Sequence, residues 1–241
     1  MAWASITRTV HEGRPAIVKT TDYDARLEAD GLRALAEAGA PTPEVYEVTR
    51  ERIVMAEVGG PSDWEALGRA LAICHRATRP HFGYDLDNVL GPLPQANPWS
   101  PVWSEFYYRH RLAPYLVDLP ADLGNRIRSA AERGRLADLL DHGQPPSLIH
   151  GDLWSGNIVE GRWLIDPAVN YADRELDLAF AAVFGGIPER MWRAYQEEWA
   201  LDEGWRQRRP ALQLYHLLVH VRLFGGGYVG MVADRLDTLG W

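Results

Sequence analysis

Residues 150–157 read His150-Gly151-Asp152-Leu153-Trp154-Ser155-Gly156-Asn157, and Ile165-Asp166-Pro167 follows shortly after. Between them, Ile158-Val159-Glu160 and Arg162-Trp163-Leu164-Ile165 flank Gly161, the pattern of two strands around a tight turn. Paired strands lie about 5 Å apart. Asn157 enters this hairpin and Asp166 leaves it, so both side chains are expected at its open end. An amide oxygen beside a carboxylate suits a hard cation such as Mg²⁺. The loop through Ser155 and Gly156 brings Asp152 to the same point, free to orient or deprotonate an attacking hydroxyl. Together these are the groups that phosphoryl transfer from ATP to a hydroxyl requires. His150 is expected to brace the loop by hydrogen bonds. Each fragment alone is also ordinary turn chemistry. The full series in order, followed by a hairpin, favours a site.

Among 25 Lys and Arg residues only one is lysine, Lys19, at the end of the strand-like run Ala16-Ile17-Val18-Lys19. Holding ATP phosphates calls for a compact ammonium on a strand, oriented by a carboxylate on the next helix. Glu28 is the best-placed partner; Glu37 lies further along the helix and Asp30 points elsewhere. An ammonium is a small point charge and a guanidinium a broad planar fork, so retention of one lysine here fits a site for the smaller cation. The competing reading is a surface lysine without a role.

The positioning elements follow from pattern. Ser5–His11 and Ala16–Lys19 form strands around Glu12-Gly13-Arg14-Pro15, and a helix runs from about Asp24 to Ala38. Glu44–Thr49 and Arg52–Val58 read as a second hairpin. Val58-Gly59-Gly60-Pro61 is a candidate hinge, with the backbone near Glu57 and Val58 placed to meet an adenine ring. Ser62 or Asp63 caps a helical run, Trp64–Ala77. Phe82–Pro101 reads as a loop, and Pro101–Tyr115 and Asp122–Leu140 as helices. Further helices are expected near Glu175–Phe184, Glu189–Trp199, Arg208–Phe224 and Tyr228–Leu239.

With 241 residues the chain can bury a large core in one domain or two modest lobes. A net charge of −8 argues against nucleic-acid binding. Cys74 is the only cysteine, which excludes an intramolecular disulfide and a cysteine-built zinc cluster. There is no signal-like leader and no apolar run of about 18 residues, so no membrane association and a cytoplasmic location are expected.

The chain resembles the fructosamine kinase (ketosamine-3-kinase) family, relatives of the aminoglycoside and choline kinases. The resemblance rests on Gly91-Pro92-Leu93-Pro94-Gln95-Ala96-Asn97, Trp103-Ser104-Glu105-Phe106-Tyr107, Arg111-Leu112, His150–Asn157, Ile165–Val169, Asp173–Ala179, Phe184-Gly185-Gly186, Tyr215-His216-Leu217-Leu218 and His220 to Tyr228. It implies an α+β, protein-kinase-like bilobal fold. Residues 1–60 would be a small, truncated antiparallel-sheet lobe that clamps ATP, and residues 61–241 a mainly helical catalytic and substrate lobe. It further implies ATP-dependent phosphorylation of a ketoamine of the fructosamine or ribulosamine type at its third sugar carbon, a deglycation-repair activity. The substrate would be a small ketoamine or a glycated protein lysine. By carry-over Asp152 is the base, Asn157 and Asp166 hold Mg²⁺, and Lys19, oriented by Glu28, holds phosphates. Glu57 and Val58 meet the adenine. Trp154 either stacks on the substrate or packs beneath the loop.

Other polar residues receive structural readings. Asp173, Glu175 and Asp177 are expected to cap the following helix or pair with arginines such as Arg174, rather than bind metal. His216 and His220, at i and i+4, are expected as core hydrogen-bonders. The family's first strand and phosphate-covering loop have no counterpart before Lys19 unless the Glu12-Gly13-Arg14 turn substitutes. Two other readings follow: a nucleotide-binding pseudokinase, or a kinase of another small hydroxylated metabolite such as an amino alcohol or aminoglycoside. Asn170, Ala172 and Val219 also depart from the family's usual residues.

Overall fold

The computed structural model describes residues 4–241. Strands β1 (Ala4–His11) and β2 (Arg14–Thr21) form an antiparallel hairpin. Helix α1 (Ala25–Glu37) follows, then β3 (Val45–Val48) and β4 (Arg52–Ala56). The four strands make one sheet in the order β1-β2-β4-β3. Asp24 caps α1 by accepting the Arg26 N–H, and Ala25, Ala29, Leu32 and Leu35 bury one helical stripe. Ala25, Ala29 and Leu32 of that stripe pack on the face carrying Ile53 and Met55, and Leu35 joins the helical core. Lys19 lies directly opposite Ile53 and Ile6 in register, so it projects from the same face toward α1. The same alternation puts Ile6, Arg8 and Val10 on that face; Ile6 and Val10 are about two-thirds exposed there.

The remainder is mainly helical. Helix α2 (Trp64–His75) is capped by Asp63, whose side chain accepts the Ala66 N–H. The expected loop at 82–101 contains a small hairpin, β5 (Asn88–Leu90) and β6 (Leu93–Gln95). The expected helix Pro101–Tyr115 is instead a short α3 (Trp103–Tyr107), a π-helical turn (Tyr108–Leu112) and a 3₁₀ segment (Ala113–Asp118). Pro114 has no N–H to continue the α ladder. The expected helix Asp122–Leu140 is divided by Gly134, in left-handed conformation, into α4 (Ala121–Glu132) and α5 (Arg135–Leu140). Strand β7 (Ser147–Ile149) leads into the His150 loop. The next hairpin, β8 (Ile158–Val159) and β9 (Trp163–Leu164), is shorter than expected. Strand β10 (Asn170–Ala172) pairs back with β7, and α6 (Glu175–Ala181), α7 (Glu189–Glu198), α8 (Trp205–Phe224) and α9 (Val229–Leu239) complete the chain. Helix α8 is buried along most of its length and runs through the larger core. No helix of the described residues is long and apolar enough to cross a membrane.

The two parts of the chain meet closely beside the loop. A Cβ on Gly31 of α1 would stand 3.0 Å from Pro167 Cγ, and Tyr84 donates to Asp30 of α1 at 2.8 Å. The β1–β2 turn does not approach this region. Arg14 lies five residues from Lys19 along β2, roughly 16 Å at strand rise, and neighbouring Pro15 accepts the Glu57 N–H at 3.2 Å. The Glu12-Gly13 turn therefore does not substitute for a phosphate-covering loop. Gly31→Val should force α1 off Pro167 and cost roughly 1–3 kcal/mol, measured as a lower urea midpoint; an unchanged midpoint would show that this contact is loose.

Candidate active site

The loop is built around two antiparallel segments. Pairing of Ile149 with Asn170, and the bond from Ala168 N–H to His150 O at 2.8 Å, run residues 149–152 beside residues 166–170. Gly151 sits at φ +82, and a Cβ there would lie 2.0 Å from Ala168 O, so only glycine fits this crossing. Asp177 secures the loop from behind. Its two carboxylate oxygens accept the N–H groups of His150 and Gly151 at 2.7 and 2.8 Å. Burial pushes the Asp177 pKa up, but the hydrogen bonds from His75 and the Gly151 N–H outweigh it and hold it low. His150 braces the loop as expected, with Nε2 donating to Ile165 O at 2.9 Å and Nδ1 accepting the Asp152 N–H at 3.2 Å. Burial lowers its pKa, which keeps the ring neutral.

Asp152, Asn157, Asp166 and Lys19 converge on one cleft of about 250 Å³, together with Glu28 and Trp154. Asn157 Nδ2 donates to Asp152 O and to Asp152 Oδ2, both at 2.9 Å. That orientation leaves Asn157 Oδ1 as a spare acceptor. Lys19 Nζ lies 2.7 Å from Glu28 Oε2 and 2.8 Å from Asp166 Oδ1, with Lys19 and Glu28 almost wholly buried. Tyr23 OH donates to the same Glu28 oxygen at 2.8 Å. Burial opposes the Lys19 charge, yet the two carboxylates overcome it and hold the ammonium well above its ordinary pKa. Burial pushes Glu28 up, and the adjacent ammonium opposes that rise.

Asn157 Oδ1 and Asp166 Oδ2 have no protein partner among the described residues, and the Asp166 side chain is well exposed to the cleft. Two spare hard oxygens, one anionic, fit Mg²⁺, which keeps several water and phosphate ligands. Asp152 is enclosed except toward the cleft. Burial lifts its pKa to about 7, reinforced by the charges of Asp166 and Asp177 and opposed by the Asn157 hydrogen bond.

Trp154 is partly exposed in the cleft wall, with its ring edge-on to Phe184 at 6.2 Å. A Cβ on Gly156 would lie 2.3 Å from that ring, so the small residue makes room for it. Glu57 and Val58 are not part of this cleft. The Glu57 side chain takes the Arg8 Nε–H at 2.6 Å. Tyr23, the Asn88–Gly91 hairpin and Phe224 line the cleft without having been singled out as site residues by sequence, and Val219 and His220 lie there too. Nothing local marks Tyr23 or Asn88–Leu90; of that segment only Gly91 fell within a motif that carried the resemblance, and it suggested no chemistry.

The remaining expectations divide. Asp173 caps α6 through the Glu175 N–H, and Glu175 takes both arms of Arg208 at 2.7 Å. His142, Asp173 and Glu175 lie close enough to share an ion, but Arg208 already occupies both Glu175 oxygens and His142 bonds Asp173 at 2.8 Å. Arg174 pairs with no carboxylate among the described residues. It stacks on Trp199 at 3.9 Å and donates to Tyr195 OH and two carbonyls. Asp177 neither caps α6 nor meets an arginine; it holds the loop. His216 Nε2 donates to Gly151 O at 2.9 Å, and burial lowers its pKa to about 3. His216 is thus a core hydrogen-bonder, while His220, bonded to His216 O, also reaches the cleft.

A sheet with a buried Lys–Glu pair, set over a loop with Asp, Asn and Asp, defines a phosphotransferase of the protein-kinase-like class. A sequence model of fructosamine kinase matches residues 18–239, and the chain belongs to that family. It is 37% identical over 212 residues to a Thermus thermophilus protein named as a probable ketoamine kinase, covering 85% of this chain and 78% of that protein. A Synechocystis protein of the same name is 40% identical over 176 residues, 70% of this chain and 60% of that protein, so the chain spans under two-thirds of that relative's length. The crystal structure described as a fructosamine-3-kinase from Thermobifida fusca superposes with TM-score 0.87 at 34% identity, covering 99% of this chain and 93% of that one. An aminoglycoside phosphotransferase shares the fold at TM-score 0.66 and 14% identity.

Between about pH 4 and 7 the folded chain retains an Asp152 proton that the unfolded chain, at its ordinary 3.8, has released. The folded state therefore loses stability as pH rises through that window. In Mg²⁺-free buffer the wild type should lose roughly 1–3 kcal/mol relative to Asp152→Asn across it, read by urea denaturation. A constant difference between the two proteins would contradict a protonated buried carboxyl.

Proposed function

We propose that this chain is an ATP-dependent kinase of ketoamines of the fructosamine or ribulosamine type, with Asp152, Asn157, Asp166 and Lys19 acting on one phosphoryl group. The observation that carries the reading is the convergence of these four side chains on a single cleft, with spare oxygens on Asn157 and Asp166. The family supplies the substrate class; whether the amine is a small metabolite or a protein lysine is decided by which ketoamines are turned over.

Lys19 has three N–H donors, of which Glu28 and Asp166 take two, leaving one for a phosphate oxygen. Asn157 Oδ1 and Asp166 Oδ2 would hold Mg²⁺, which when bound offsets charge on the β- and γ-phosphates. Asp152 Oδ2 is fixed by the Asn157 amide, so the carboxylate is oriented before substrate arrives. It receives the proton of the sugar hydroxyl as that oxygen forms its bond to the γ-phosphorus, and the bond from phosphorus to ADP breaks. Trp154 offers an exposed ring surface beside Asp152 for the substrate. The adenine would lie toward Glu57 and Val58, under the exposed Ile6 and Val10 on the sheet face shared with Lys19.

ADP release with Mg²⁺-ATP, across ketoamines made from several sugars and beside aminoglycosides and amino alcohols, tests the reading. Asp152→Ala should retain its fold and lose about 10²–10⁴ in kcat. Nucleotide binding without turnover on any acceptor would favour the pseudokinase reading. A variant with wild-type activity would reject the role of Asp152.

A further inference from the structure

Asp166 adopts φ +56, a left-handed backbone that a non-glycine residue holds only when its surroundings enforce it. On its N-terminal side, Ile165 is pinned by Asn157 O at 3.1 Å and by His150 Nε2 at 2.9 Å. On its C-terminal side the clamp comes from far away in sequence. Asn88 Nδ2 donates to Val169 O at 2.8 Å, and Gln95 Nε2 donates to Ala168 O at 3.1 Å.

These two amides belong to a buried network with a fixed direction. Arg111 sits in the π-helical turn, fully buried, its guanidinium 4.7 Å from the Phe106 ring and 5.5 Å from the Tyr215 ring. It forms no salt bridge among the described residues and donates to Ala96 O, His110 O and Asn97 Oδ1. A guanidinium can only donate. Asn97 therefore turns its oxygen to Arg111 and its nitrogen to Asn88 Oδ1 at 3.1 Å, so Asn88 must turn its own nitrogen to Val169 O. In parallel, Tyr215 OH donates to Gln95 Oε1 at 2.6 Å, which turns the Gln95 nitrogen toward Asn88 Oδ1 and Ala168 O. A buried charge among neutral acceptors is costly compared with apolar packing. Here it sets the polarity of a relay that ends on the backbone after Asp166.

We propose that Arg111, Asn88 and Gln95 are positioning residues that hold the Asp166 carboxylate in place for Mg²⁺-nucleotide, acting through the carbonyls of Ala168 and Val169. The same network fixes the Asn88–Leu90 strand as a wall of the cleft. The proposal rests on the assignment of Asp166 to the nucleotide site.

The test compares wild type with Asn88→Asp, Arg111→Met, Arg111→Lys and Tyr215→Phe. Mg²⁺-ADP affinity is measured by calorimetry, folding by thermal midpoint, and kcat and KM on a ketoamine. Asn88→Asp keeps the shape but cannot donate to Val169 O, and should weaken Mg²⁺-dependent ADP binding about tenfold or more. Arg111→Met should do the same. Arg111→Lys, which keeps a donor, should restore affinity to within about threefold, and Tyr215→Phe, the loss of one hydroxyl, should cost about threefold. The Tyr215→Phe variant decides the matter if the others do not fold. Folded variants that bind Mg²⁺-ADP like the wild type, even with lowered thermal midpoints, overturn the proposal. A wild type that phosphorylates no ketoamine defeats the functional reading, while the ADP comparison still decides the positioning role. A wild type that binds no Mg²⁺-ADP overturns both.

Discussion

The ammonium of Lys19 joins three parts of the chain that sequence separates. It leaves strand β2, meets Glu28 on α1, and meets Asp166 147 residues later. Each contact compensates the desolvation of the others. An isolated buried ammonium would lose its proton, and an isolated buried Glu28 would gain one. Together they offset that cost through the contacts at 2.7 and 2.8 Å, with Tyr23 adding a donor to Glu28. The geometry also explains why lysine survives at one position in a chain that otherwise uses arginine. Glu28 and Asp166 approach one Nζ to 2.7 and 2.8 Å, a site shaped around a compact ammonium rather than a broad planar fork.

The loop opposite Lys19 is held by groups that never face the cleft. Asp177 collects the His150 and Gly151 amides, His216 supports the Gly151 carbonyl, and His150 ties the loop to Ile165. These are buried polar contacts with low pKa values where the ring must stay neutral, as in His216. In such surroundings an unsatisfied partner is expensive, so the network specifies one backbone path. That path delivers Asp152 with its carboxylate already oriented by Asn157.

Much of this was legible in the sequence where the chemistry is local. Asp152, Asn157 and Asp166 fall within fifteen residues and a hairpin, so strand spacing alone brought them together. Lys19 stood out by its uniqueness, and Glu28 by its place on a short amphipathic helix. What escaped depends on partners far along the chain. Asp177 looks like a helix cap, and only the fold shows that its carboxylate faces residues 150 and 151. Arg174 looks like an ion-pair partner, yet its place is over Trp199. The π-helical turn at Tyr108–Leu112 has no sequence signature beyond the nearby Pro114, and the Arg111 network spans more than a hundred residues from Gln95 to Tyr215.

The central claim is that Lys19, Glu28 and Asp166 act as one charged unit in phosphoryl transfer. A double-mutant cycle on kcat/KM with Mg²⁺-ATP, using Lys19→Met, Glu28→Gln and the pair, tests it most directly. If Glu28 acts through Lys19, adding Glu28→Gln to Lys19→Met should cost nothing further. Losses that multiply would contradict the account, because they would mean that each residue works alone.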